Sequence, residues 1–198
     1  MNYLLRKLPA VLSFGLLFVS CDASKQDPIP TPTPAPTEEG IAYIIKQGVH
    51  ETNNPLKGVA TNKLTFEVRF DSTAIYQTVN PSNQADINKL YGMSDCQSLH
   101  HTNSARFGWR WYQNRLELHA YSYANGKNTS TFITAIDLKK KYTCELTLTD
   151  GEYTFRVHDK VIKHTRGCHA PGKGYQLYPY FGGDETAPHQ IKILINEL

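Results

Sequence analysis

The chain has 198 residues, with 21 Lys or Arg against 18 Asp or Glu, and its formal net charge is +3. Arg6 and Lys7 are the only charged residues among the first 20, so the chain from residue 21 onward has a formal charge of +1. A charge so close to balance does not indicate a basic face, and we expect no nucleic-acid partner. The 12 Tyr suit both a β-sandwich core and contacts with sugars, because each combines an apolar ring with a polar tip.

The first 20 residues have the pattern of a secretory signal peptide. Arg6 and Lys7 precede a mostly apolar run that ends at Ser20-Cys21. That run is too short to cross the roughly 30 Å hydrocarbon core of a membrane. The segment Leu17-Phe18-Val19-Ser20-Cys21 resembles a bacterial lipobox, with Phe18 at the position where Leu is usual. The resemblance implies an exported protein whose Cys21 is lipidated and anchored to a membrane, either the outer membrane or the cell surface. The alternative is an ordinary signal peptide cut elsewhere.

Residues 21–38 read as a tether between this anchor and one folded domain. Proline alternates with other residues from Pro28 to Pro36. Proline fixes φ and donates no backbone hydrogen bond, so this segment favours extended polyproline II without a core. At roughly 3 Å per residue it would act as a semi-rigid spacer. Residues 39–198 then form one domain of ordinary size.

The domain has the alternating pattern of β-strands. Apolar and polar residues alternate with a period of two in five runs, whereas the only candidate helix is one short turn at residues 85–90. The apolar positions of the longer runs are Leu64, Phe66, Val68 and Phe70, then Ala105, Phe107, Trp109 and Trp111, then Leu116, Leu118 and Ala120, and then Tyr142, Cys144, Leu146 and Leu148. Strands with one buried face each predict an all-β fold, a two-sheet antiparallel β-sandwich.

Turn residues set the register of two hairpins. Asp150-Gly151 suits a two-residue type I′ turn, which pairs Thr149 with Glu152. Gln113-Asn114 is a weaker turn signal, and a two-residue loop there pairs Arg106 with Tyr121. Both registers place every apolar residue on one face, which a slip of one residue would destroy. A third hairpin is predicted to turn at Asp159-Lys160.

Three cysteines follow Cys21. Cys144 alternates with apolar residues, so we expect it to lie in the core as a small hydrophobic residue. Cys96 and Cys168 fall in polar, loop-like stretches. An exported protein favours oxidation, which makes a disulfide between Cys96 and Cys168 plausible, although the spacing alone does not decide it.

The end of the chain resembles a known family. The segment from Tyr178 to His189 reads Tyr-Pro-Tyr-Phe-Gly-Gly-Asp-Glu-Thr-Ala-Pro-His and leads into an apolar strand. It is similar to the closing segment of concanavalin A-like lectin/glucanase jelly-roll domains in surface lipoproteins of the Bacteroidetes type. The resemblance implies a jelly roll with a curved sheet whose concave face receives a glycan. A shared fold by itself does not establish an activity.

The polar face of the second hairpin carries the candidate ligand site. Arg side chains can pair with carboxylates, and Tyr rings can stack on sugar faces. We therefore predict a carbohydrate-binding module for an extracellular polysaccharide or oligosaccharide. Gly108, opposite His119, is expected to leave room above the imidazole. An ordinary solvent-facing sheet with cross-strand ion pairs is the alternative. The predicted ligand-binding residues are Arg106, Arg110, Tyr112, His119, Tyr121 and Tyr123.

Two other functions are consistent with the sequence. A polysaccharide lyase would break uronate glycans by β-elimination, with His119 as the base and Tyr121 as the acid. The strand motifs of alginate lyases are absent, and so is the paired-carboxylate strand that retaining glucanases need. A protein-interaction module of a surface complex is the third possibility, and it predicts an exposed apolar patch.

No cofactor and no metal site are predicted. His100, His101, His164, Cys168 and His169 lie in loop-like stretches, but their spacing does not match a zinc motif. Residues 182–185, Gly-Gly-Asp-Glu, could offer oxygen ligands to a structural Ca²⁺. A turn that needs glycine dihedrals is the favoured interpretation of that segment.

Overall fold

The computed structural model describes residues 40–198. The predicted signal peptide, the lipidation site at Cys21 and the tether lie outside these residues. Within the described part of the chain, no helix has both the length and the apolar character needed to cross a membrane.

The described residues form two antiparallel six-stranded sheets. In the first sheet the spatial order is β1 (Ile41–Ile45), β12 (Ile191–Glu197), β3 (Lys63–Phe70), β8 (Lys141–Thr149), β9 (Glu152–Val157) and β10 (Lys160–Thr165). In the second sheet it is β2 (Gly58–Ala60), β11 (Lys173–Leu177), β4 (Asn88–Ser94), β5 (Ser104–Tyr112), β6 (Arg115–Ala124) and β7 (Lys127–Ile136).

The two sheets face each other across an aromatic core. Phe107 of the second sheet meets Phe66 and Phe155 of the first edge-on, with ring centroids 5.6 and 5.4 Å apart. All three side chains are fully buried, as the alternation in their strands predicts. Such edge-to-face pairs stabilise the fold beyond the area they bury. The predicted all-β fold is confirmed: it is a two-sheet antiparallel β-sandwich.

Both predicted hairpin registers are confirmed. Thr149 pairs with Glu152 across the Asp150-Gly151 turn, and Arg106 pairs with Tyr121 across the second hairpin. The third hairpin turns one residue earlier than predicted. Val157 pairs with Lys160, so its loop is His158-Asp159.

The predicted helical turn at residues 85–90 is wrong. A 3₁₀ turn occupies Pro81–Ala85, where the Asn80 side chain accepts a hydrogen bond from the Ser82 backbone N–H. The next residues enter strand β4, which carries a bulge. At the bulge, Leu90 and Tyr91 of β4 lie opposite a single residue of β5, and both are buried. Two consecutive buried residues interrupt the alternation of buried and exposed side chains along the strand.

Gly151 is a position where the fold depends on a glycine. Its φ is +69°, a conformation that costs an L-residue roughly 1–2 kcal/mol. Gly151→Val is therefore expected to lower the melting temperature by several degrees, because about 1 kcal/mol shifts it by roughly 2–4 °C at this size. Gly151→Asn, which tolerates positive φ, is the control and should melt close to wild type. Equal melting of all three proteins in a thermal scan would contradict this account of the turn.

Candidate functional site

The six predicted ligand residues all lie on strands β5 and β6, but the structure separates them into two groups. Arg110, Tyr112 and His119 belong to a network around Glu117. Arg106 and Tyr121 lie nearer the other end of the hairpin, with Tyr123 beside them. The two groups differ in one respect that matters for binding: the first contains a buried carboxylate.

The Glu117 carboxylate interacts with both Arg110 and His119 of the first group. Its carboxylate is fully buried and accepts hydrogen bonds from Arg110 Nε and Arg115 Nε, each at 2.7 Å. His119 Nε2 lies 3.1 Å from the same carboxylate. Burial alone raises the pKa of Glu117, but its hydrogen bonds to Arg110 and His119 lower it below the usual range. Hydrogen bonds between ionised groups are strong, so this network holds β5 and β6 together, and it engages Nε2 of His119.

The space predicted above His119 is filled. Gly108 does lie opposite His119 in the hairpin. A Cβ built on Gly108 would lie 2.4 Å from Cγ2 of Ile87, so Ile87 occupies that position. The Phe132 ring also packs against the His119 imidazole, with centroids 5.7 Å apart. This part of the face is therefore covered by other side chains.

Arg106 is the central residue of the second group. It is only 6% exposed, and its buried Nε has no hydrogen-bond partner among residues 40–198. The guanidinium lies 5.5 Å from the ring centroid of Tyr121. Burial lowers the pKa of Arg106 to about 10, so the side chain is still charged at neutral pH. A buried cation without a hydrogen-bonded partner at Nε is costly, since buried charges are normally paired.

Lys89 adds a second cation to this group. Its Nζ lies 5.2 Å from the Tyr121 ring centroid and 5.9 Å from that of Tyr180, and it donates a hydrogen bond to the Gly182 carbonyl at 2.8 Å. Burial, and secondarily the charge of Arg106, lower the pKa of Lys89 to about 8. We call the surface formed by Lys89, Arg106, Tyr121, Tyr123, Tyr175 and Tyr180 the basic face.

A glycine allows the strands to meet beneath Arg106. Gly92 of β4 pairs with Arg106 of β5. A Cβ at position 92 would lie 2.4 Å from the Arg106 Cβ and 2.2 Å from the Ala105 carbonyl oxygen. Any larger residue at position 92 would therefore push the two strands apart and move Arg106.

Histidine-bearing segments surround the basic face. His100 contacts the Tyr175 hydroxyl through its backbone N–H at 3.1 Å and through Nδ1 at 2.8 Å. His50 stacks on Tyr180, with ring centroids 5.1 Å apart and planes within 10°.

The sequence did not indicate Lys89 as a site residue, because Lys89 lies in the stretch that was predicted to form a helical turn. Tyr180 was available in the closing motif, but nothing in that motif indicated its neighbours.

A covalent and an ionic link hold the segment that carries His100. Cys96 and Cys168 form a disulfide in the structure. Next to it, the Arg166 guanidinium donates two hydrogen bonds to the buried Asp95 carboxylate, at 2.6 and 3.2 Å. Tyr153 of the first sheet donates a third at 3.0 Å. These bonds tie the loop after β4 to the loop after β10.

The candidate metal ligands are engaged in other bonds. Asp95, Cys96 and Cys168 are the one group of three potential ligands in the described part of the chain, and both cysteines are in the disulfide. In the segment 182–185, the possible source of Ca²⁺ ligands, the Glu185 carboxylate accepts backbone hydrogen bonds from Val79 at 2.7 Å and Asn80 at 2.8 Å. Glu185 thus ties the 3₁₀ turn to the closing loop.

Comparison with known proteins finds solved structures that are similar to this one at low sequence identity. No protein-family model and no curated protein sequence matches the chain. The structure is similar to a glycoside hydrolase family 16 endo-glucanase from Bacteroides ovatus, with 8% identity and a TM-score of 0.49 over 79% of this chain and 80% of that one. It is also similar to carbohydrate-binding module CBM66 from Bacillus subtilis (11% identity, TM-score 0.37, 80% of each chain). A third similar structure is CG-16, a homodimeric agglutinin from chicken liver (7% identity, TM-score 0.37, 80% of this chain and 96% of that one).

Two partly buried histidines predict a loss of stability in mild acid. Burial, together with the charge of Arg106, lowers the pKa of His100 to about 4, and burial lowers the pKa of His164 below its usual value. The unfolded chain binds protons at these histidines below about pH 6.5, whereas the folded chain resists them. The free energy of unfolding should therefore fall as the pH decreases from about 6.5 toward 4.

Denaturant unfolding at pH 7 and pH 5 measures this effect, and comparing variants over the same interval separates it from the carboxylates that begin to titrate near pH 5. His100→Gln should lose less stability than wild type over that interval. His158→Asn, a change at an exposed turn residue, is the control and should behave as wild type. If His100→Gln and wild type lost equal stability, the role assigned to His100 would be wrong.

Proposed function

We propose that the protein is a carbohydrate-binding module whose basic face binds an anionic extracellular polysaccharide. The observation that carries this proposal is the buried Arg106, whose Nε has no partner among the described residues, next to Lys89. A carboxylate or sulfate group of a glycan would give Arg106 the partner that the fold does not supply. Hydrogen bonds between ionised groups are short and strong, and they would offset the cost of burying the cation.

The tyrosines supply the second requirement of a glycan site. Tyr121 and Tyr180 both lie within 6 Å of the Lys89 ammonium group, so their rings border the place where an anion would bind. Aromatic rings provide rigid apolar faces for the C–H side of a sugar, at a low cost in conformational entropy. Cations and rings together favour an acidic sugar over a free inorganic anion.

The proposal revises the predicted ligand set. Arg106, Tyr121 and Tyr123 stay in it, and Lys89 and Tyr180 join them. Arg110, Tyr112 and His119 are assigned a supporting role, because Glu117 satisfies the charge of Arg110 and engages His119. The guanidinium of Arg110 in turn covers the Tyr112 ring at 4.3 Å.

A polysaccharide lyase is the second candidate function, with Lys89 instead of His119 as the base. With a pKa of about 8, Lys89 is partly neutral at mildly alkaline pH. Neutral Nζ would take the C5 proton of a uronate whose charge Arg106 balances. The electron pair left on C5 would form the C4–C5 double bond as the C4–O bond breaks. The hydroxyl of Tyr121 or Tyr180 would protonate the leaving oxygen.

Both candidates are tested by affinity electrophoresis of the purified protein in gels containing polygalacturonate, alginate or heparin, with ultraviolet detection of unsaturated product in parallel. We expect retention on at least one of these polymers. Arg106→Ala should weaken it about tenfold to a hundredfold, since a hydrogen bond to a charged group contributes roughly 1.5–3 kcal/mol.

The matched control is Arg156→Ala, which removes one exposed cation from the first sheet and should be retained as wild type. Retention without product supports the binding module. Product that disappears in Lys89→Arg, while retention persists, supports the lyase. Folded protein that none of the polymers retains would contradict both and favour a protein partner.

We also propose that the domain is exported and held at a membrane by lipid on Cys21, with residues 21–38 as its tether. The lipobox-like segment and the alternating prolines support this assignment. Metabolic labelling of a bacterial host with an alkyne fatty acid should label the full-length chain. Cys21→Ser should lose the label and leave the membrane fraction, whereas Cys144→Ser should keep both. Labelling of the Cys21→Ser protein would refute the assignment.

A further inference from the structure

A second cavity lies beside the turn between β5 and β6, away from the basic face. Its volume is about 410 Å³, within the range of pockets that hold small ligands. None of the described residues that line it is charged, in contrast to the basic face. We call it the end pocket. Its main lining side chains are Tyr76, Gln77, Gln84, Trp111, Gln113 and Asn114.

The wall of the end pocket is held rigidly. Gln84 Oε1 accepts a hydrogen bond from the Thr78 backbone N–H at 2.9 Å, and its Nε2 donates to the Trp111 carbonyl at 2.7 Å. The Tyr76 hydroxyl accepts a hydrogen bond from the buried Asn88 amide at 2.8 Å. These bonds tie the loop after β3 to the end of β5, so the shape of the cavity exists before a ligand binds.

Three other amides are free to bind. The side chains of Gln77, Gln113 and Asn114 are exposed and form no hydrogen bond with residues in the described range 40–198. Gln113 and Asn114 occupy the turn itself, with φ of +50° and +59°. A carboxamide both donates and accepts, which matches the hydroxyl groups of a sugar. The half-buried Trp111 adds an aromatic surface next to these amides.

We propose that the end pocket binds a neutral sugar residue. The aromatic side chain provides an apolar surface for the sugar ring, and the amides provide hydrogen bonds to its hydroxyl groups. An anionic sugar is disfavoured, because the lining residues among 40–198 include no cation to replace the water that the anion would lose. This site goes beyond the function proposed for the basic face and does not depend on it.

The two sites are separate enough to be tested independently. Trp111 follows Arg106 by five residues in the same strand, a distance of roughly 17 Å along β5. A single sugar residue in the end pocket would therefore not contact Arg106.

Tryptophan emission reports on the end pocket directly. The chain has two tryptophans, and Trp109 is fully buried, so a bound sugar would act on Trp111. The full-length protein would be titrated with four neutral probes: cellohexaose, laminarihexaose, xylohexaose and mannohexaose. We expect at least one probe to shift the emission in a saturable way and to release heat in calorimetry. Polygalacturonate should not displace that probe.

Variants then test whether the emission shift and the heat of binding come from the end pocket. Gln113→Gly with Asn114→Gly removes two amides from positions whose positive φ glycine accepts, so the fold should be kept while binding weakens at least tenfold. Asn125→Gly makes the same kind of change at the turn beyond the other end of β6, where φ is +51°, and should bind as wild type. Trp111→Phe should abolish the emission shift while calorimetry still detects binding.

Two results would overturn the proposal. One is that none of the four probes binds by either method at millimolar concentration. The other is that the double-glycine variant, with an unchanged melting temperature, binds a probe as tightly as wild type does.

Discussion

The register of β5 against β6 is the constraint on which the rest of the structure depends. Each strand gives alternate residues to the core, among them Phe107, Trp109 and Leu118, all fully buried. The remaining residues must then face outward, and the register places Arg106 beside Tyr121. A slip of one residue would bury the charges and expose the aromatic core. Burial of the apolar residues on one face of the hairpin therefore determines which polar side chains lie together on the opposite face.

Two arginines of one strand have opposite electrostatic surroundings on that outer face. Arg110 meets the buried carboxylate of Glu117, which also binds Arg115 and His119. Arg106 lies among tyrosines, with its Nε unpaired in the described part of the chain. The first arrangement is complete and stabilises the sheet. The arrangement around Arg106 leaves a buried positive charge that an anionic ligand would pair with. The basic face is therefore the better candidate for a binding site.

The loops around the basic face depend on links between the sheets. Asp95 follows β4 of the second sheet, yet it accepts hydrogen bonds from Tyr153 of the first sheet and from Arg166 after β10. The Cys96–Cys168 disulfide joins the same two loops covalently, across 72 residues of sequence. These links order the segment that carries His100, which contacts the Tyr175 hydroxyl.

The amino-acid sequence was enough to predict the strands whose alternation is strict and the registers of two hairpins whose turns are short. Local geometry is sufficient there, because a two-residue turn and one apolar face leave a single register. Polar strand β7 was missed, because its exposed side chains carry no alternation. Tertiary packing, by contrast, brings Lys89 to Tyr180 and places Ile87 over Gly108. Lys89 and Tyr180 are far apart in the chain, and they meet because the closing loop pairs with β4 through two backbone hydrogen bonds between these residues, which no local pattern encodes.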